Sequence, residues 1–210
     1  NNSGIFIEPF VGGFNIVPEL KNYKSALCID IHEGLINLYN DLINERIELP
    51  DNFSNDEYNK VKDKKENDSL SAFISFACSF GGKEWGGYAR KKTNYSYCLT
   101  GKNSLIKSFK NIKKDKVIFK NLSYNALDLK NMNCTIYCDP PYKDTTKYKT
   151  EDFNHDKFYD WAETQKKYGN DVFVSEFQAP SHWEVVWELE RKITSTINNY
   201  KTKTDKLFKV

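Results

Sequence analysis

Short apolar runs alternate along this chain with longer amphipathic stretches, and that rhythm leaves few folds open to it. Gly4-Ile5-Phe6-Ile7 is the first run and ends at Glu8-Pro9-Phe10-Val11-Gly12-Gly13, which reads as a buried strand followed by a glycine-bearing turn. Ala26-Leu27-Cys28-Ile29 is the second and closes at Asp30. Over 32–46, Leu35, Leu38, Tyr39, Leu42 and Ile43 recur at helical spacing and predict an amphipathic helix. Further strands are expected at 117–119, 135–138, 172–174 and 185–187, with a terminal strand at 206–210. A helix with Phe158, Trp161 and Ala162 on one face separates 135–138 from 172–174. Strands and helices in this order pack as an α/β fold with a largely parallel sheet.

Residues 46–113 interrupt the alternation. The stretch 50–69 is polar and charged, and reads as a solvated helix or a linker. The stretch 69–79 is more apolar, with Phe73, Ile74 and Ala77 as a buried face. In Phe80-Gly81-Gly82-Lys83-Glu84-Trp85-Gly86-Gly87-Tyr88-Ala89-Arg90-Lys91-Lys92, two Gly-Gly pairs bracket a tryptophan and a basic cluster follows, which predicts a loop or hairpin. Helical periodicity returns at 104–112. The expected organisation is an α/β domain of 1–45 and 114–210 carrying an inserted, mainly helical subdomain of 46–113.

A length of 210 residues suits one domain with such an insert. With 39% hydrophobic and 29% charged residues the chain can bury a core and stay soluble. Its net charge of +2 is too small to argue for a polyanionic partner, so the distribution of charge carries more weight. No run approaches the roughly 20 apolar residues of a membrane helix, and Asn1-Asn2-Ser3-Gly4 does not read as the start of a signal peptide. Five scattered cysteines (Cys28, Cys78, Cys98, Cys134, Cys138) predict reduced, mostly buried thiols and a cytoplasmic location. His32, His155 and His182 lie far apart and form no metal-ligand pattern, so no metal is expected.

Chemistry concentrates in Asp139-Pro140-Pro141-Tyr142, directly after the strand at 135–138. Ligands of open parallel sheets bind beyond the carboxyl ends of the strands. The two prolines stiffen the backbone and remove its amide donors, leaving the carbonyls of Asp139 and Pro140 as acceptors. Tyr142 adds a flat face for a base. Pro-Pro with a capping Asp can also be a plain strand terminator, but the full tetrad at a strand end points to function. Glu8-Pro9-Phe10-Val11-Gly12-Gly13 lacks the spacing of a dinucleotide fingerprint, and Glu8 would repel a pyrophosphate while attracting an ammonium group. Asp30 lies about 20 residues beyond the glycines, where an acid binds ribose hydroxyls; alone it reads equally as a helix N-cap.

These motifs, in this order, resemble the Dam-like family of DNA adenine-N6 methyltransferases, class alpha, over most of the chain from Glu8 to about Ile193. The resemblance implies a Rossmann-like, mixed but mostly parallel seven-stranded sheet with an inserted target-recognition subdomain. It implies S-adenosylmethionine as cofactor, with contacts at Glu8, Pro9, Phe10, Gly12, Asp30, Ile31, Ser123, Tyr124 and Asp139. It implies catalysis at Asp139, Pro140, Pro141 and Tyr142 on an adenine flipped from double-stranded DNA. An acceptor at Asp139 and another at the Pro140 carbonyl would hold both N–H groups of the target amine and aim its lone pair at the methyl group. Within the insert, Lys83, Trp85, Tyr88, Arg90, Lys91 and Lys92 fall in the recognition region, where cations neutralise phosphates and an Arg reads guanine edges. Val172–Phe177 matches the strand and loop after the catalytic motif, and Arg191, Lys192 and 194–203 resemble a loop near the target base. The family places a Gly-rich, Lys-containing cofactor motif before the Glu-Pro-Phe strand, and this sequence opens almost at that strand. Two other readings stay open: methylation of an adenine amine in RNA, and a catalytically silent DNA-binding module. A restriction endonuclease is a possible cellular partner.

Overall fold

A computed structural model describes residues 4–64, 66–90, 95–143, 153–196 and 199–210. Seven strands form one mixed sheet: β1 (Ile5–Glu8), β2 (Ser25–Asp30), β3 (Val117–Asn121), β4 (Thr135–Cys138), β5 (Asp171–Glu176), β6 (Glu184–Thr196) and β7 (Asn199–Lys209), in the order β3-β2-β1-β4-β5-β7-β6. The five α-helices among the described residues are α1 (Glu33–Ile43), α2 (Asn55–Lys64), α3 (Ser69–Ala77), α4 (Tyr97–Asn111) and α5 (His155–Lys167). β1 runs parallel to β2 and β4, and β4 parallel to β5, while β7 is antiparallel to both β5 and β6. The expected α/β class with a mostly parallel sheet is the architecture observed. No described helix is long and apolar enough to cross a membrane.

The chain packs as two compact units. The first comprises Asn1–Val11, Asn22–Cys28 and Ser123–Val210. Its inner strands are nearly continuous apolar runs, as strands covered on both faces must be. Ile7, Ile136, Cys138, Val172 and Val174 are buried with Phe158 and Ala162 of α5. β1 lies between β2 and β4, so the chain order reverses beside it. That reversal is where ligands of open α/β sheets bind. Phe6 pairs with Thr135 and Ile7 with Ile136, which brings the carboxyl ends of β1 and β4 side by side.

Two corrections concern the C-terminal strands. The strand expected at 185–187 is 13 residues long, and the terminal strand expected at 206–210 begins at Asn199. The stretch 194–203, expected as a loop, lies largely within this hairpin, with Thr194 opposite Tyr200 and Arg191 opposite Lys203. Ile193, Thr194, Thr196, Tyr200, Thr202 and Thr204 explain the extension, since β-branched and aromatic residues suit a pleated strand. The edge strand β6 is exposed from Glu184 to Arg191 and carries four charges there, at Glu184, Glu188, Glu190 and Arg191, a common guard against edge-to-edge pairing.

The second unit comprises Gly12–Lys21 and Ile29–Leu122. Leu35, Ile36, Leu38 and Tyr39 form the buried face of α1. Phe14, Tyr39, Phe109 and Phe119 pack ring against ring at 5.0–6.0 Å. The polar stretch at 50–69 holds a solvated helix, α2, with only Tyr58 buried. α4 starts seven residues before the expected 104, because Ser96 caps it by accepting from Leu99 N at 3.1 Å.

Candidate active site

The Asp139-Pro140-Pro141-Tyr142 turn leaves the end of β4 in the first unit. Asp139 is solvent-exposed, Pro140 buried and Tyr142 half-buried. Protein crowds the Asp139 carboxyl closely enough that desolvation lifts it above the usual carboxylate range. The negative charge of Asp205 acts in the same direction, while a hydrogen bond from the Tyr142 hydroxyl and the Arg191 guanidinium oppose it. Burial and the Asp139 charge push the Tyr142 phenol up, so Tyr142 remains an O–H donor at neutral pH. Its hydroxyl also meets Ser175 Oγ at 2.7 Å, and its ring stands edge-on to Phe177 at 4.8 Å. Burial raises Tyr137, beside the same serine, to about 12.

The other side of the turn is held by groups distant in sequence. Lys143 N donates to Glu176 Oε2 at 3.0 Å, and Phe177 N donates to Glu176 Oε1 at 2.7 Å. His155 Nε2 lies 2.9 Å from the Pro141 carbonyl and 3.8 Å from Glu176 Oε2. A carbonyl only accepts, so Nε2 carries the hydrogen. Across the β6–β7 hairpin, Arg191 Nε donates to Asp205 Oδ2, while the buried Asp205 Oδ1 has no hydrogen-bond partner among the described residues.

Glu8 closes β1 and is 2% exposed, with Cys28 Sγ at 4.0 Å. Pro9 is buried and Phe10 half-buried. The Phe10 ring lies 5.4 Å from Tyr124 and 5.8 Å from Phe153, so two sequence candidates meet in one aromatic cluster. Ser123 is half-buried and precedes the 3-10 turn Tyr124–Ala126.

In the second unit Asp30 is fixed from two directions: Oδ2 accepts from Gly12 N at 3.0 Å and Oδ1 from His32 N at 2.9 Å. Asp30 is not the cap of α1. His32 is, accepting from Leu35 N at 3.2 Å through Nδ1. Ile31 is 61% exposed beside it.

A family model for D12 class N6 adenine-specific DNA methyltransferases matches residues 1–206. The chain belongs to the D12 class N6 adenine-specific DNA methyltransferase family. No curated protein matches it. Membership makes the chain an adenine-specific DNA methyltransferase, with DNA as the class of substrate.

In this D12 class methyltransferase the described part of the segment expected to meet DNA is a loop closed by a bridge between Ser79 and Tyr88. Phe80 N donates to Gly87 O and Ala89 N to Cys78 O, each at 2.8 Å. Lys83 and Arg90 are exposed. Trp85 and Tyr88 instead find partners inside the fold: both rings pack on Tyr58, at 5.3 and 5.7 Å, and the Tyr88 hydroxyl donates to Phe53 O at 2.6 Å. Lys91 and Lys92 lie outside the described residues. Sequence reasoning missed Phe80, which is 72% exposed on this loop. The Gly81-Gly82 pair directly after it was the available signal, since both glycines take positive φ and leave the ring little to pack against.

Proposed function

We propose that this methyltransferase transfers a methyl group from S-adenosylmethionine to the exocyclic N6 amine of an adenine flipped out of double-stranded DNA. The observation that carries the reading is Asp139: a residue open to solvent at the carboxyl end of β4, whose partly desolvated carboxylate is oriented by the Tyr142 hydroxyl and more basic than usual. Asp139 accepts one N–H of the adenine amine and the Pro140 carbonyl accepts the other. The nitrogen lone pair is thereby drawn out of conjugation and forms a bond to the methyl carbon as the carbon–sulfur bond breaks. The nitrogen then sheds a proton, for which the raised Asp139 carboxylate is a suitable acceptor.

The residues present fit the cofactor. An ionised carboxylate offers about four acceptor positions, so Asp30, already holding two amides, keeps capacity for ribose hydroxyls. Glu8 has the charge to attract an ammonium group, and the Phe10–Tyr124 pair offers apolar surface to an adenine ring. S-adenosylmethionine, when bound, supplies a methyl carbon already activated by its positive sulfur. Residues 46–113 act as the recognition region, with Arg90 reading a base edge, Lys83 on phosphate, and Phe80 offering an exposed ring to the opened duplex. The enzyme works on cytoplasmic DNA, and a restriction endonuclease reading the same site is a fitting partner.

The test is methyl transfer from labelled S-adenosylmethionine to unmethylated genomic DNA, with wild type and Asp139→Ala. Removing a hydrogen-bonding group aimed at the reacting centre typically costs about 10²–10³ in rate, and a loss of that order is expected. Near-wild-type turnover by Asp139→Ala would remove Asp139 from the mechanism.

A further inference from the structure

The sequence of the catalytic turn creates a difficulty for its own rigidity. Pro140 and Pro141 have no amide hydrogen, so across two successive residues the backbone has nothing to donate to the fold. Only carbonyls, and the amides that follow, are left to hold it. The Pro141 carbonyl accepts from His155 Nε2 at 2.9 Å, at the first residue of α5. Just past the turn, Lys143 N donates to Glu176 Oε2 at 3.0 Å, at the last residue of β5. The two partners lie 3.8 Å from each other, so they act on the turn as one body.

Glu176 is 0% exposed. A fully buried carboxylate is costly, and an apolar residue would fill the space as well. Here both carboxylate oxygens are committed to backbone amides, Lys143 N on one and Phe177 N on the other. Phe177 is the residue against which the Tyr142 ring stands. The carboxylate therefore fixes the exit of the turn and the support of its tyrosine together. His155 is anchored from behind, since Asn154 caps α5 through Lys157 N at 2.9 Å and the Phe153 ring lies 5.0 Å from the imidazole.

We propose that Glu176 and His155 are positioning residues that clamp the Asp139–Tyr142 turn from its far side, holding the Asp139 carboxylate and the Pro140 carbonyl in register with the target amine. The clamp rests on the reading of that turn as catalytic. A misplacement of about 1 Å at a reacting centre costs on the order of 100-fold in rate. Loosening the clamp therefore slows methyl transfer without removing any group that touches substrate.

The experiment uses the full chain carrying His155→Leu, His155→Gln or Glu176→Gln, with Asp139→Ala as reference. Each variant is measured for single-turnover methylation of unmethylated genomic DNA, for DNA and S-adenosylmethionine affinity, and for melting temperature. His155→Leu and Glu176→Gln are expected to lose about 10- to 100-fold in single-turnover rate, with both affinities within about twofold of wild type. His155→Gln, whose side-chain amide can donate to Pro141, should recover most of the rate. If His155→Leu does not fold, His155→Asn replaces it, being polar but too short to reach the carbonyl. Full rate in the Leu or Asn variant, or equal loss in His155→Gln, overturns the clamp. Full rate in Asp139→Ala would instead overturn the catalytic reading beneath it.

Discussion

Asp139, proposed to hold the target amine, bears on the stability of the fold as well. Its carboxyl is raised above the ordinary value chiefly by desolvation. The folded state then binds that proton more tightly than the unfolded chain. The associated stability is fully present below the unfolded value and is lost as pH rises through the folded one. At neutral pH wild type bears the cost of a crowded charge, and Asp139→Asn does not. The variant should melt higher than wild type at neutral pH. The difference should shrink toward zero as pH falls below the ordinary aspartate value, where the carboxyl is protonated in the folded and the unfolded chain alike. A gap in melting temperature that stays constant across that range would contradict a raised Asp139. Asp139 and Tyr142 were legible as candidates because the motif is contiguous and its strand-end position follows from the apolar run before it. Glu176 and His155 were not. Their partners are backbone atoms, and they stand 33 residues beyond Lys143 and 14 beyond Pro141. No pattern of side-chain types announces a bond to a main-chain carbonyl.

The elements show where local rules hold and where packing decides. α4 contains Gly101, a residue that costs about 1 kcal/mol in a helix relative to Ala. A Cβ built there would lie 2.7 Å from the Ala77 Cβ on α3, so the glycine is required by the close approach of two helices. Gly101→Ala gains the propensity but forces backbone apart, and overpacking of this kind costs about 1–3 kcal/mol. The expected net effect is a loss on the order of 1 kcal/mol, read as a melting temperature lower by about 2–4 °C. A higher melting temperature would mean that α3 and α4 separate freely. Helix α1 was readable from periodicity, because its apolar residues recur on one face. The start of α4 was not, because Gly101 and the polar Thr100 and Lys102 blur its period and the cap at Ser96 lies outside it. The β6–β7 hairpin was underestimated for a related reason. Its outer strand is largely solvent-exposed and charged, so hydrophobicity marks only the short apolar part.

Over the whole chain, the alternation of apolar runs and amphipathic helices carries the fold class, while strand order and the two-unit packing come only with long-range pairing. β7 enters the sheet between β5 and β6, a placement that no local propensity encodes. The composition is equally silent about the substrate: a net charge of +2 says nothing of DNA, and the family match across residues 1–206 supplies that class. What the enzyme makes is a matter of product chemistry. Duplex DNA free of methylation is incubated with the protein and methyl-labelled S-adenosylmethionine, then digested to nucleosides and resolved by mass spectrometry. Label is expected in N6-methyldeoxyadenosine alone, and formed about 10²–10³ more slowly when Asp139 is replaced by Ala. Label on cytosine, or N6-methyldeoxyadenosine formed equally by Asp139→Ala, would contradict this expectation.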